Sequence, residues 1–156
     1  MPVQVIGLVF SGGNTDGDFN WMARQPQYAD ALFIFNDNAE QFLQHLASPA
    51  DRNGPGCAAG GGNAVIRPLQ CQTPPRAAGI PTGAYGMGFD TLTKAAKDLI
   101  DQAIANIEQV VRQQGYTRIY YSAQDASGIL GTGIFRVGID VKRYITDRLQ
   151  ALERIL

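Results

Sequence analysis

The chain has 156 residues with 45% apolar and 17% charged side chains, enough for the core of one ordinary domain and too apolar for a disordered segment. Its formal net charge of -1 argues against general nucleic-acid binding, which needs a basic excess, but leaves room for a small anion held by backbone amides. No apolar run is long enough to span a bilayer, and the opening MPVQVIGLVF lacks a basic n-region with a cleavage site, so a cytoplasmic protein with no membrane partner is expected.

VQVIGLVF is an apolar run rich in β-branched residues and predicts a strand near 3–10. SGGNTDGDFN follows as a turn-rich loop. ADALFIFN predicts a second strand near 31–36; its apolar residues are continuous rather than alternating, as in a sheet covered on both faces. DNAEQFLQHL predicts a short helix with Asp37 or Asn38 near its N-cap. Residues 48–63 form a long Gly/Pro-rich loop of the kind that is usually functional or mobile. AVIRPL suggests a strand near 64–67, and a second long loop follows, where Pro74, Pro75 and Pro81 rule out most helix. Thr91–Gln114 carries apolar residues at three-four spacing and predicts a helix, with Gly115 as its stop. TRIYYSA predicts a strand near 118–122, and Asp140–Leu156 a last helix. There is no internal repeat and no linker between domain-sized segments, so residues 1–156 are expected to form one α/β domain, three-layered, with a largely parallel central sheet.

GILGTGIF, at 128–135, sits between the strand and the last helix. In such sheets ligands bind beyond the carboxyl ends of the strands. Gly128, Gly131 and Gly133 there permit positive φ and close approach, and free amides at such a turn form a nest for phosphate oxygens. Two familiar cradles are excluded. Gly128 and Gly133 have the outer spacing of GxxxxGK[ST], but Ile134 and Phe135 stand where Lys and Ser/Thr are required. A GxGxxG fingerprint from Gly131 fails at Arg136.

Three motifs, in order, are similar to those of the macrodomain family of ADP-ribose-binding α/β modules. GDF at Gly17–Phe19 precedes DALFIFNDN at 30–38; GGGN stands at Gly60–Asn63; GTGIF stands at Gly131–Phe135, between strand and helix. The chain departs from the family's pattern in having NDN for NAAN, a longer separation between that motif and the glycine triplet, and Arg136 where glycine commonly follows GIF.

The resemblance implies a macrodomain-like three-layer fold and the following roles. Asp18 would accept a hydrogen bond from the adenine amino group, beside Phe19. Asn36 or Asn38 would contact the distal ribose. Gly60, Gly61, Gly62 and Asn63 would line the ribose and phosphate side. Gly131, Thr132, Gly133, Ile134 and Phe135 would wrap the diphosphate, with Phe135 flanking the adenine or distal ribose. Asp37, with Asn38, would be the provisional catalytic pair, Asp37 acting as base. The implied partners are an ADP-ribose-like nucleotide and an ADP-ribosylated protein. Three function classes follow: a binding module without turnover, a hydrolase of ADP-ribosyl or ADP-ribose phosphate derivatives, and a protein that sequesters or senses a nucleotide signal.

No cofactor or metal is expected. Cys57 and Cys71 form no CxxC and have no histidine close by in sequence, which points to two reduced, inert thiols. His45, the only histidine, is expected to be a surface or satisfied residue rather than a base. Arg67 and Arg76 flank a loop, as phosphate partners or as solvated side chains.

Overall fold

The computed structural model of the chain describes residues 2–133 and 135–156. Its strands are β1 (Gln4–Val9), β2 (Ala31–Asn38), β3 (Ala77–Ala84), β4 (Met87–Gly88) and β5 (Arg118–Ala123); its helices are α1 (Phe19–Met22), α2 (Ala39–Ala47), α3 (Lys94–Gln114) and α4 (Ile139–Ile155). The strands form one sheet in the order β1-β5-β2-β3-β4. The first three pairings are parallel, and β3–β4 is an antiparallel hairpin.

The sheet is buried on both faces, which is why β2 reads as an unbroken apolar run. Leu32 and Ile34 join a cluster with Ile119 and Tyr121 of β5, Ile100 and Ile107 of α3, and Ile145 and Leu149 of α4. Ala31, Phe33 and Phe35 alternate to the opposite face, where they meet Phe19 and Met22 of α1, Ile66, Leu69 and Tyr120. The apolar stripes of α3 and α4 thus face the first cluster. Thr93 caps α3 by accepting from the Ala96 amide, and the helix ends on Gly115. At the sheet edge the Glu153 carboxylate of α4 accepts from the Val5 amide at 2.8 Å. No helix of the described residues is long and apolar enough to cross a membrane.

One expected element is corrected. Residues 64–67 lie not in a strand but in a 3₁₀ helix, Gly62–Cys71, whose Ile66 and Leu69 cover the second face of the sheet. The strand paired with β2 is AAGIPTGA, at Ala77–Ala84. Pro81 lies inside it, where β2 and β3 shift register between Asp37 and Asn38, so the missing Pro N–H falls at an irregular point of the ladder.

Candidate functional site

The carboxyl ends of β1, β2, β3 and β5 open into a cleft of about 1210 Å³. Its walls include Phe10, Asn36–Asn38, Gly60–Asn63, Thr82–Ala84, Ser122, Gly131–Gly133 and Phe135. A cleft here follows from the parallel topology, since successive βα connections splay apart at this edge.

Hydrogen bonds tie three segments of the wall to one another. The Asn36 amide donates to Asn63 Oδ1 at 2.8 Å, and Asn36 Nδ2 donates to the Gly131 carbonyl at 2.8 Å. Asn63 Nδ2 in turn donates to Ser122 Oγ at 3.1 Å. The NDN, GGGN and GTGIF segments, far apart in sequence, therefore meet at the side chains of Asn36 and Asn63. Asn38 has a different task. Its Oδ1 caps α2 by accepting from the Gln41 amide at 2.9 Å, and its Nδ2 donates to Gln41 Oε1 at 2.6 Å.

Asp37, one residue along the strand, points to the opposite face from Asn36. It is 4% exposed and pairs with Arg67, 3% exposed. Asp37 Oδ1 accepts from Arg67 Nε at 3.1 Å, from Arg67 Nη2 at 2.9 Å and from the Asn38 amide at 2.9 Å. Oδ2 has no partner among the described residues. Arg67 also donates to the Ala58 carbonyl at 2.9 Å and stacks over the Phe35 ring, 5.6 Å from its centroid. Burial raises the Asp37 carboxyl above its ordinary pKa, and the Arg67 charge and the donors on Oδ1 offset only part of that. That bare oxygen is fully buried, packed against the backbone of Gly79, where a Cβ would stand 2.6 Å from it, and it offers no surface to the cleft. Arg67 is thus neither a free phosphate partner nor a solvated cation. Arg76 is also used internally, donating to the carbonyls of Ala23 and Tyr28.

No family model, no curated protein and no solved structure matches this chain. The roles of the cleft residues are accordingly read from their own geometry.

In the GTGIF loop the Gly131 amide donates to the Ser122 carbonyl at 2.9 Å, and the Phe135 amide donates to the Thr132 carbonyl at 3.1 Å. Those two amides are committed to the fold. The amides of Thr132 and Gly133 make no backbone hydrogen bond among the described residues. Ile134, expected in the same cradle, lies outside the described residues. Gly133 has φ of +36°, and a Cβ built on it meets nothing within 4 Å. Side chains there would enter open space at the mouth of the cleft.

Asp18 and Phe19 are not among the residues that line the cleft. Asp18 caps α1, its Oδ1 accepting from the Trp21 amide at 3.3 Å, while Oδ2 accepts from the Asn14 amide at 3.3 Å. Phe19 is a core aromatic whose ring centroid lies 5.2 Å from that of Phe33. Phe10 takes the exposed aromatic place at the rim, 67% exposed, together with Phe135 at 48%. Phe10 lay within the strand expected near 3–10, and only the end of β1 at Val9 places it at the rim. Arg136 and Lys142 also line the cleft and add positive charge on the side of the glycine loop.

The cysteines are corrected as well. Cys57 and Cys71 form a disulfide across 14 residues rather than two free thiols. Such bonds persist in oxidising compartments, the opposite of what the thiol expectation assumed. His45 is half-buried beside them, with Nδ1 3.8 Å from Cys71 Sγ.

Proposed function

We propose that the cleft binds ADP-ribose or a closely related adenine diphosphate nucleotide, and that the chain is a macrodomain-like three-layer α/β/α domain. One observation carries the reading. The segments that resemble the family's ribose, glycine and diphosphate motifs are joined by the hydrogen bonds of Asn36 and Asn63 around one cleft. The volume agrees with an elongated ligand, since about 1210 Å³ exceeds the roughly 300–1000 Å³ of sites for drug-sized molecules. In this reading the diphosphate lies on the Thr132 and Gly133 amides near Arg136 and Lys142. Phe10 and Phe135 flank the rings.

A thermal-shift panel of adenine nucleotides tests it. Ligand at a hundred times its dissociation constant adds about 2.7 kcal/mol of stability. The absence of both a thermal shift and calorimetric heat with millimolar ADP-ribose rejects the reading.

The resemblance also implies a hydrolytic activity with Asp37 as base; its Oδ2 is fully buried against Gly79, so that role requires the carboxylate to turn into the cleft. Incubation with ADP-ribosylated protein and with ADP-ribose phosphate separates the cases. Released product supports hydrolysis; saturable heat without product supports a binding or sensing module.

A further inference from the structure

We propose that His45, Cys57 and Cys71 form a redox-gated metal site: closed as a disulfide, and open, once reduced, as two thiolates and an imidazole that bind a zinc-like divalent cation. The one donor atom offered by each residue lies within 4.8 Å of the others. Four-coordinate zinc holds sulfur at about 2.3 Å and nitrogen at about 2.0–2.1 Å, so tetrahedral edges are about 3.6 Å for N···S and about 3.8 Å for S···S. The distance from His45 Nδ1 to Cys71 Sγ is already 3.8 Å. The Cα atoms of the two cysteines are 6.0 Å apart, so the sulfurs can separate to a dithiolate spacing by side-chain rotation.

The surroundings hold the ligands in place. Cys57 ends a short 3₁₀ turn, Pro55–Cys57, laid against α2, which carries His45. A Cβ on Gly56 would stand 2.7 Å from the His45 Cβ, so only glycine allows the turn to lie this close. Gln44 Oε1 accepts from the Gly56 amide at 2.7 Å, and Gln70 Nε2 donates to the Gly56 carbonyl at 2.6 Å. None of these contacts is made by a sulfur atom. A cavity of about 470 Å³, lined by His45, Arg52, Gln70 and Cys71 among others, lets water supply the fourth ligand.

Opening balances as follows. A dithiol donor delivers two electrons and two protons, the S–S bond breaks to two thiols, and the donor is oxidised to its own disulfide. The cation then displaces both thiol protons and binds the sulfurs and His45 Nδ1. The site is distinct from the cleft and does not depend on its ligand.

Cobalt(II) serves as the probe, because tetrahedral cobalt thiolates have thiolate charge-transfer bands and intense visible absorption. The full chain is reduced with a phosphine under argon and titrated beside an oxidised sample. One equivalent should bind to the reduced chain, with those bands, and none to the oxidised chain. His45→Gln, reduced in the same way, should bind at least about tenfold more weakly. A reduced wild-type chain that takes up no cobalt, folded or not, overturns the proposal. So does equal binding by the oxidised chain, or an unchanged affinity in His45→Gln.

Discussion

Arg67 places two of its nitrogens on one oxygen of Asp37 and leaves the other oxygen of that carboxyl bare. The pair is buried, so removing the cation strands a charge. Arg67→Met should cost about 3–5 kcal/mol, the usual penalty for breaking a buried pair from one side. The pH dependence identifies the cause. Burial already raises the Asp37 carboxyl in the folded chain. A raised carboxyl contributes its full stability only below the unfolded value, near 3.9, and loses it as pH climbs through the folded value. Without Arg67 the folded value climbs further, so the deficit of the variant should be smaller at pH 5 than at pH 8. Urea unfolding at both values checks this, and a deficit that is constant or larger in acid would remove Asp37 as its source.

Asn63→Ala removes the acceptor of the Asn36 amide and the donor to Ser122. The expected loss is about 1–3 kcal/mol, or about 2–4 °C of Tm per kcal/mol for a chain of this size. The same change frees the glycine segment from β2, so ADP-ribose affinity should fall with it. Calorimetric melting and titration on one sample give both values; normal affinity in a destabilised variant would separate this asparagine from the ligand.

Gly133 allows a cleaner test of the diphosphate cradle than a branched side chain does. Its φ is +36°, and the space beyond it is open. Asn tolerates left-handed backbone, whereas Val does not, so Gly133→Asn should fold nearly as well as the parent chain. Its side chain would still stand between the Thr132 and Gly133 amides and a phosphate. Losing one charge-assisted hydrogen bond, roughly 1.5–3 kcal/mol, weakens binding by about one to two powers of ten. A folded Gly133→Asn that binds ADP-ribose as well as wild type would take the phosphate off this loop.

The disulfide closes a short loop, for which cross-linking contributes about 3 kcal/mol. Reduction in the presence of a metal chelator should lower Tm by about 6–12 °C, read by calorimetry with and without the reductant. An unchanged Tm would mean that the bond adds nothing to this fold.

Much of the frame was legible because period and continuity carry it. The unbroken run of β2 gave away a sheet covered on both faces, and the three-four stripes of α3 and α4 located the helices that cover one of them. AVIRPL misled because β-branched residues serve a buried 3₁₀ helix as well as a strand. AAGIPTGA was passed over because it looks like a loop; glycine, alanine and an interior proline are depleted from strands, and only close packing between β2 and its other neighbours selects them. Asn36, Asn63 and the glycine loop were singled out through motif order, and the fold brings them into hydrogen-bonding distance at the cleft. Arg67 and the disulfide were missed for a common reason. Arg67, Cys57 and Cys71 all lie in the segment between α2 and β3, and local sequence holds no record of the path that brings them to their partners.

The 3₁₀ helix Gly62–Cys71 is anchored at both ends, by Asn63 to β2 and Ser122 and by Cys71 to Cys57, and in its middle by Arg67 to Asp37. A 3₁₀ segment of this length would ordinarily fray, because its hydrogen bonds are poorer than those of an α-helix. Here opening of the middle must break a buried ion pair, and the C-terminal end is tethered by a covalent bond. The amides around Arg67 should therefore exchange with solvent deuterium more slowly than those at the Asn63 end, and reduction should speed exchange at the Cys71 end first.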